Sequence, residues 1–220
     1  MMNIALLYHD AINRETLRKQ LRAIAKANPR VLITFDDAGA GAYAYIADDL
    51  EANGLRGHFF IRTNRIGEQN FLQPSQIRDL RKRGHAIGSH LGLRPSRVSR
   101  YTLGDVIHEF SRNSSALAET LGVPARTASV PGGHYSSKLI RAAAIAGLET
   151  VLTSEPTLET DVVEGCTLQG RFTIKRSTSS NTAAALAYGA FLPRLRQSIF
   201  WYLKRSLELT SLVPQLHRHG

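Results

Sequence analysis

The chain has 220 residues, 43% hydrophobic and 21% charged, with a formal net charge of +10. That is enough chain for one substantial core, and the balance is that of a soluble globular protein rather than a disordered or fibrous one. The single cysteine, Cys166, excludes an intrachain disulfide and any multi-cysteine metal site, and the longest apolar run, 183–192, is too short to span a bilayer. The N-terminus shows no basic region or cleavage site, so the expectation is one cytoplasmic domain over 1–220.

Residues 4–9, apolar up to His9, read as a first strand. Asn13 can cap a helix running to residue 27, with Leu17, Leu21 and Ile24 on one face. The run 31–35 predicts a buried second strand, and two carboxylates, Asp36 and Asp37, follow at once. Adjacent carboxylates at the end of a buried strand are costly unless each has a partner. A metal ion with a proton-transfer role would satisfy them, and so would a helix to cap. Residues 42–53 are alanine-rich and helical, ended by Gly54. A third strand spans 58–61, and a helix spans 73–83 with Pro74 near its start. A fourth strand, 86–89, runs into His90, and the basic stretch 91–100 is irregular. Thr102 opens a long helix to residue 121, with Asp105 completing a capping box. The fifth strand, 127–130, ends in Pro131-Gly132-Gly133. A helix to residue 146 and a sixth strand, 150–153, follow. Residues 155–165 read as an acidic loop, 168–176 as a seventh strand, and 181–188 and 193–209 as closing helices.

The positive charge suits an anionic partner. Its clusters at 78–83, 94–100 and 194–205 are moderate, and no aromatic-studded basic stripe accompanies them, so nucleic acid is not expected. Residues 193–220 form a basic helix and tail in which Leu195, Ile199, Leu203 and Leu207, with Leu192 before them, recur at helical spacing. That stripe predicts a helix packing across the domain. The alternative is an interfacial helix in peripheral contact with a membrane, near lipid-linked glycans.

Strand and helix alternate with short connections, which implies parallel strands joined by crossover helices. Residues with chemistry follow strands scattered along the chain: His9, Asp36 and Asp37, His90, and Pro131 to His134. A β/α barrel brings all such strand ends to one face, whereas an open sheet gathers fewer at its switch point.

Three motifs in order, Thr34-Phe-Asp-Asp37, Ile87-Gly-Ser-His90 with Pro95, and Ser129-Val-Pro-Gly-Gly133, resemble those of the polysaccharide deacetylases, carbohydrate esterase family four. The likeness runs from about residue 4 to about residue 205, and its third motif resembles a bacterial subgroup. The resemblance implies a distorted seven-stranded (β/α) barrel and a metal-dependent hydrolase that cleaves a non-peptide C–N bond, removing acyl groups from an amino-sugar glycan. It implies Asp36 as general base, and Asp37 and His90 as ligands of a divalent metal, usually zinc, which polarises the acyl carbonyl and acidifies its water. As base rather than cap, Asp36 is expected to tolerate Asp36→Asn without loss of melting temperature.

The chain departs from the motif at Arg94, which stands where the second metal histidine is usual, and at Ser129, which replaces an arginine that orients the base. A guanidinium has no lone pair for a metal. Beside a divalent ion at ~4 Å it would repel by roughly 8 kcal/mol at an effective dielectric near 20. Arg94 is therefore expected either to turn outward, leaving a weak Asp37–His90 site, or to point inward and pair with Asp36 or Asp37, which would satisfy those carboxylates; zinc binding is weak in both cases. The alternative function is a carbohydrate-binding barrel that has lost its metal and with it most of its catalysis. His134 is the candidate general acid, and His9 on the same face could serve as acid or ligand. The Pro131-Gly132-Gly133 turn is either a substrate contact through its backbone N–H groups or only a tight turn. His58 and His85 start strands away from that face and read as structural.

Overall fold

The structure, a computed structural model, describes residues 3–9, 13–92, 101–130 and 137–212, with side chains to residue 207. The order is β1 (Ala5–Tyr8), α1 (Arg14–Ala27), β2 (Leu32–Phe35), a π-helical turn (Ala42–Ile46) entering α2 (Ala47–Glu51), β3 (Gly57–Ile61), a short 3-10 turn (Thr63–Arg65), α3 (Pro74–Lys82) and β4 (Ala86–His90). Then come α4 (Leu103–Leu121), β5 (Thr127–Ser129), α5 (Ser137–Ile145), β6 (Thr150–Leu152), β7 (Thr160–Val163), β8 (Cys166–Gln169), β9 (Phe172–Ile174), α6 (Ser180–Tyr188) and α7 (Phe191–Leu212).

Local signals set the helix starts. Asn13 Oδ1 accepts from the Glu15 and Thr16 amides, and α1 buries Leu17, Leu21 and Ile24. Thr102 and Asp105 exchange hydrogen bonds as a capping box at α4. The segment 42–53 is helical as expected, but its first turn is π-helical.

The sheet order is β7-β8-β6-β5-β4-β3-β2-β1-β9. Every neighbouring pair is parallel except β7 with β8. In a flat sheet the seven steps from β8 to β9 would span roughly 33 Å. Only Gly170 and Arg171 separate the end of β8 from the start of β9, a reach of at most ~11 Å. The sheet must therefore curl until its two sides nearly meet. The result is a half-barrel, an α/β fold of nine strands rather than the seven expected. The difference lies between residues 155 and 176. Val163-Glu164-Gly165-Cys166 is a tight hairpin whose two central residues both have positive φ, so the expected acidic loop carries β7. The expected seventh strand is split into β8 and β9, on opposite sides of the sheet. Gly170 makes the break possible, since a Cβ there would lie 2.4 Å from the Glu155 carbonyl oxygen.

Side chains alternate across each strand. Ile33, Phe35, Phe59 and Ile61 point outward into a core shared with α1, α2 and α6, while Val106, Phe110, Leu139 and Val151 build a second core under α4 and α5. Thr34 and His58 take the other face, toward the barrel interior, where His58 Nε2 lies 2.8 Å from Thr127 Oγ1. Because the strands are parallel, their C-terminal ends share one rim.

Helix α7 reverses the expected packing. Its inner face carries Arg194, Gln197 and Ser198, and the Gln197 side chain accepts from Thr173 N and donates to Thr173 O, covering the edge of β9. Leu192, Leu195, Ile199 and Leu203, the stripe expected to face inward, point to solvent.

Candidate active site

Four strand ends build the site on this rim. β2 delivers Asp36 and Asp37, β3 delivers Arg62, β4 ends on His90, and β5 ends on Ser129. The β8–β9 connection adds Arg171, whose side chain is fully buried.

Asp36 continues the alternation of β2 and turns inward, where it is buried. Arg171 meets it as a two-pronged fork, Nη1 to Oδ1 at 2.7 Å and Nη2 to Oδ2 at 2.8 Å. The same guanidinium donates to Thr153 O at 2.8 Å and Thr34 Oγ1 at 3.0 Å, so its orientation is fixed from three sides. Burial alone would push the Asp36 carboxyl up, but Arg171 outweighs it and holds the group below the usual carboxylate range, with help from His90 and Ser129.

Asp37 adopts a left-handed backbone, φ +52°, which turns its side chain away from that of Asp36. Arg62 Nη2 donates to Asp37 Oδ2 at 3.0 Å. Arg62 Nε also lies 2.5 Å from Oδ1, but too obliquely for a hydrogen bond, so Oδ1 is buried with no hydrogen-bond partner. His90 sits between the aspartates. Its Nε2 is 3.5 Å from Asp37 Oδ1, its Nδ1 is 3.9 Å from Asp36 Oδ2, and Nδ1 meets the Ser129 hydroxyl at 2.7 Å. Burial lowers the His90 pKa against the pull of both aspartates, which favours a neutral ring.

Two ligands of a tetrahedral zinc ion, each about 2.1 Å from it, lie roughly 3.4 Å apart. Asp37 Oδ1 and His90 Nε2 have that separation, and Oδ1, ion-paired with Arg62 but without a hydrogen bond, keeps lone pairs that such an ion could take. Two ligands therefore fit. Among the described residues no group of three or more His, Cys, Asp or Glu side chains stands ready to hold a metal.

A cavity of about 230 Å³ opens beside the two aspartates, lined by Tyr8, His9, Phe35, Asp36, Asp37 and Tyr45 among others. The π-helical turn forms one wall. Arg94, Pro131, Gly132, Gly133 and His134 lie outside the described residues, so the expected Arg94 pairing and the roles of the turn and of His134 rest on sequence alone. His58 and His85 are buried in hydrogen bonds away from the rim.

Sequence reasoning missed Arg62 and Arg171. Both had a signal: a charged residue directly following or interrupting an apolar run, the position that made Asp36 conspicuous. Ser129 does not orient Asp36 as the missing arginine would. Arg171 supplies that fork from another strand end, and Ser129 holds His90.

The sequence model of the polysaccharide deacetylase family matches residues 23–151. The Bacillus subtilis (strain 168) protein YxkH, whose name carries the words polysaccharide deacetylase, is 23% identical over 173 residues, 76% of this chain and 57% of YxkH. The chain thus spans a little over half the length of that curated relative. Among solved structures, IcaB from Ammonifex degensii is 19% identical, with a TM-score of 0.69 over 84% of this chain and 97% of IcaB. The deacetylase PplD of Streptococcus pyogenes, solved with acetate, is 15% identical, with a TM-score of 0.64 over 81% of this chain and 95% of PplD. At such identities these likenesses speak for the fold alone. The family match covers more than half of the chain, and the chain belongs to the polysaccharide deacetylase family.

Proposed function

We propose that the chain is a hydrolase that removes an N-acyl group from an amino sugar of a bacterial glycan. The observation that carries this reading is the pairing of two differently held carboxylates beside one cavity: Asp36 locked by Arg171, and Asp37 within reach of His90.

Asp36 is the general base. The Arg171 fork keeps it ionised and aimed, and its oxygen takes a proton from water as that water attacks the acyl carbon. The C–N bond then breaks, and the amine leaves with a proton from a general acid. His134 is the acid expected from sequence; His9, which lines the cavity with both aspartates, is the nearer candidate among described residues. Asp37 Oδ1 and His90 Nε2 would hold a divalent cation, zinc in the first instance, which when bound polarises the carbonyl and acidifies water. Ser129, bonded to Nδ1, would fix the His90 ring so that Nε2 faces Asp37.

A second reading is a carbohydrate-binding barrel without turnover. The Arg62 contact favours it, because a guanidinium already neutralises Asp37 without any ion. Acetate release from acetylated amino-sugar oligomers, with and without added zinc, separates the two. Release that depends on Asp37 supports the hydrolase. Oligomer binding with no release under any metal supports the binding barrel.

A further inference from the structure

Helix α7 is amphipathic in the opposite sense from a core helix. Leu192, Leu195, Ile199, Tyr202 and Leu203 fall on one face at helical spacing, and each is between 40% and 75% exposed. The face turned to the barrel is polar: Arg194 Nε donates to Gly189 O and Ala190 O, and Ser198 Oγ to Pro156 O. Arg205 stacks on Trp201, and Lys175 lies over the Phe200 ring. A stripe this wide and apolar, left toward solvent, marks a contact surface.

Charge decides the occupant. Residues 191–207 contain Arg194, Arg196, Lys204 and Arg205 and no Asp or Glu, in a chain of net charge +10. A second copy laid on this face would bring Arg196 and Lys204 of each molecule together, with Glu208 the one acid on a helix of four basic residues. A surface of anionic lipid phosphates is complementary, and aromatic side chains beside basic ones are the composition of helices that lie in the headgroup layer. No helix among the described residues is long and apolar enough to cross a membrane, so the contact would lie along the surface. The helix is also tied to the active rim: Tyr202 donates to Glu155, and the Glu155 carbonyl accepts from Arg171 N.

We propose that the outward face of α7 rests on an anionic membrane surface, with Leu195, Ile199 and Leu203 in the headgroup region and Arg196 and Lys204 against lipid phosphates. The proposal is independent of catalysis. Flotation of the full chain with phosphatidylcholine vesicles, with and without phosphatidylglycerol, tests it. Wild type should float with the anionic vesicles, at least about tenfold less with neutral ones, and less as salt is raised. Ile199→Glu combined with Leu203→Glu, both exposed, should abolish flotation without shifting the melting temperature. Should that pair disturb the fold, Arg196→Glu is expected to weaken flotation about fivefold by itself. Equal flotation with both vesicle types, or flotation unaffected by these variants, overturns the proposal. So does a lipid-free wild-type dimer in sedimentation that Ile199→Glu with Leu203→Glu makes monomeric, since the face would then join two copies.

Discussion

The two aspartates differ in what holds them, and that difference separates folding from chemistry. Asp36 and Arg171 are each buried and satisfy one another. Removing one partner of such a pair leaves an uncompensated buried charge, at about 3–5 kcal/mol. Asp36→Asn is therefore expected to lower stability by that order, contrary to the sequence expectation of an unchanged melting temperature. Arg171→Met should do the same, and the double variant should lose less than the sum of the two, read from urea unfolding of all four proteins. Asp37 is partly exposed, and asparagine accepts its left-handed backbone well, so Asp37→Asn should fold normally. Arg62 competes with any cation for Asp37. Arg62→Gln should raise zinc affinity at least about tenfold in calorimetric titration, and Arg94→His should raise it further by adding a third ligand. Unchanged affinity in Arg62→Gln would mean that the guanidinium swings clear at no cost.

At the level of elements, what was legible in the sequence was local. The caps at Asn13 and Thr102 act within one turn, so the starts of α1 and α4 were readable. The β2 strand was readable because burial on both faces leaves a nearly continuous apolar run. β7 was not, since Thr160-Asp-Val-Val163 lies on the sheet's exposed margin and shows no buried face. The break at Gly170 was hidden because its cause is a carbonyl fifteen residues away, at Glu155. The outward turn of α7 was equally hidden, because spacing shows that a stripe exists and not which way it faces. Gly170→Ala should destabilise by about 1–3 kcal/mol, since the added methyl meets backbone that cannot yield easily; thermal melting checks it.

Across the whole molecule, the interior of the half-barrel buries titratable groups, and this makes stability depend on pH. Burial lowers the His58 pKa from 6.5 to about 4, so the folded state resists protonation that the unfolded chain accepts. Its contribution is complete above pH ~6.5 and is lost as pH falls toward ~4, by roughly 3 kcal/mol. His90 and His85, also lowered, act in the same direction. Asp36, lowered below its ordinary value, adds a further loss only at more acid pH. Urea unfolding at pH 7 and pH 4.5 should show the first loss, and His58→Gln should reduce it. The convergence of Asp36, Asp37 and His90 on one rim was legible because parallel strands deliver their C-terminal ends together. The Arg171 fork on Asp36 was not, because its reach depends on how far the sheet curls. The most direct test of the proposed function is acetate release from acetylated amino-sugar oligomers with added zinc, comparing wild type with Asp37→Asn. Release by wild type, at least about a hundredfold lower in a variant of unchanged melting temperature, is the expected result. Equal release by both proteins, or no release by wild type from any such oligomer, would contradict it.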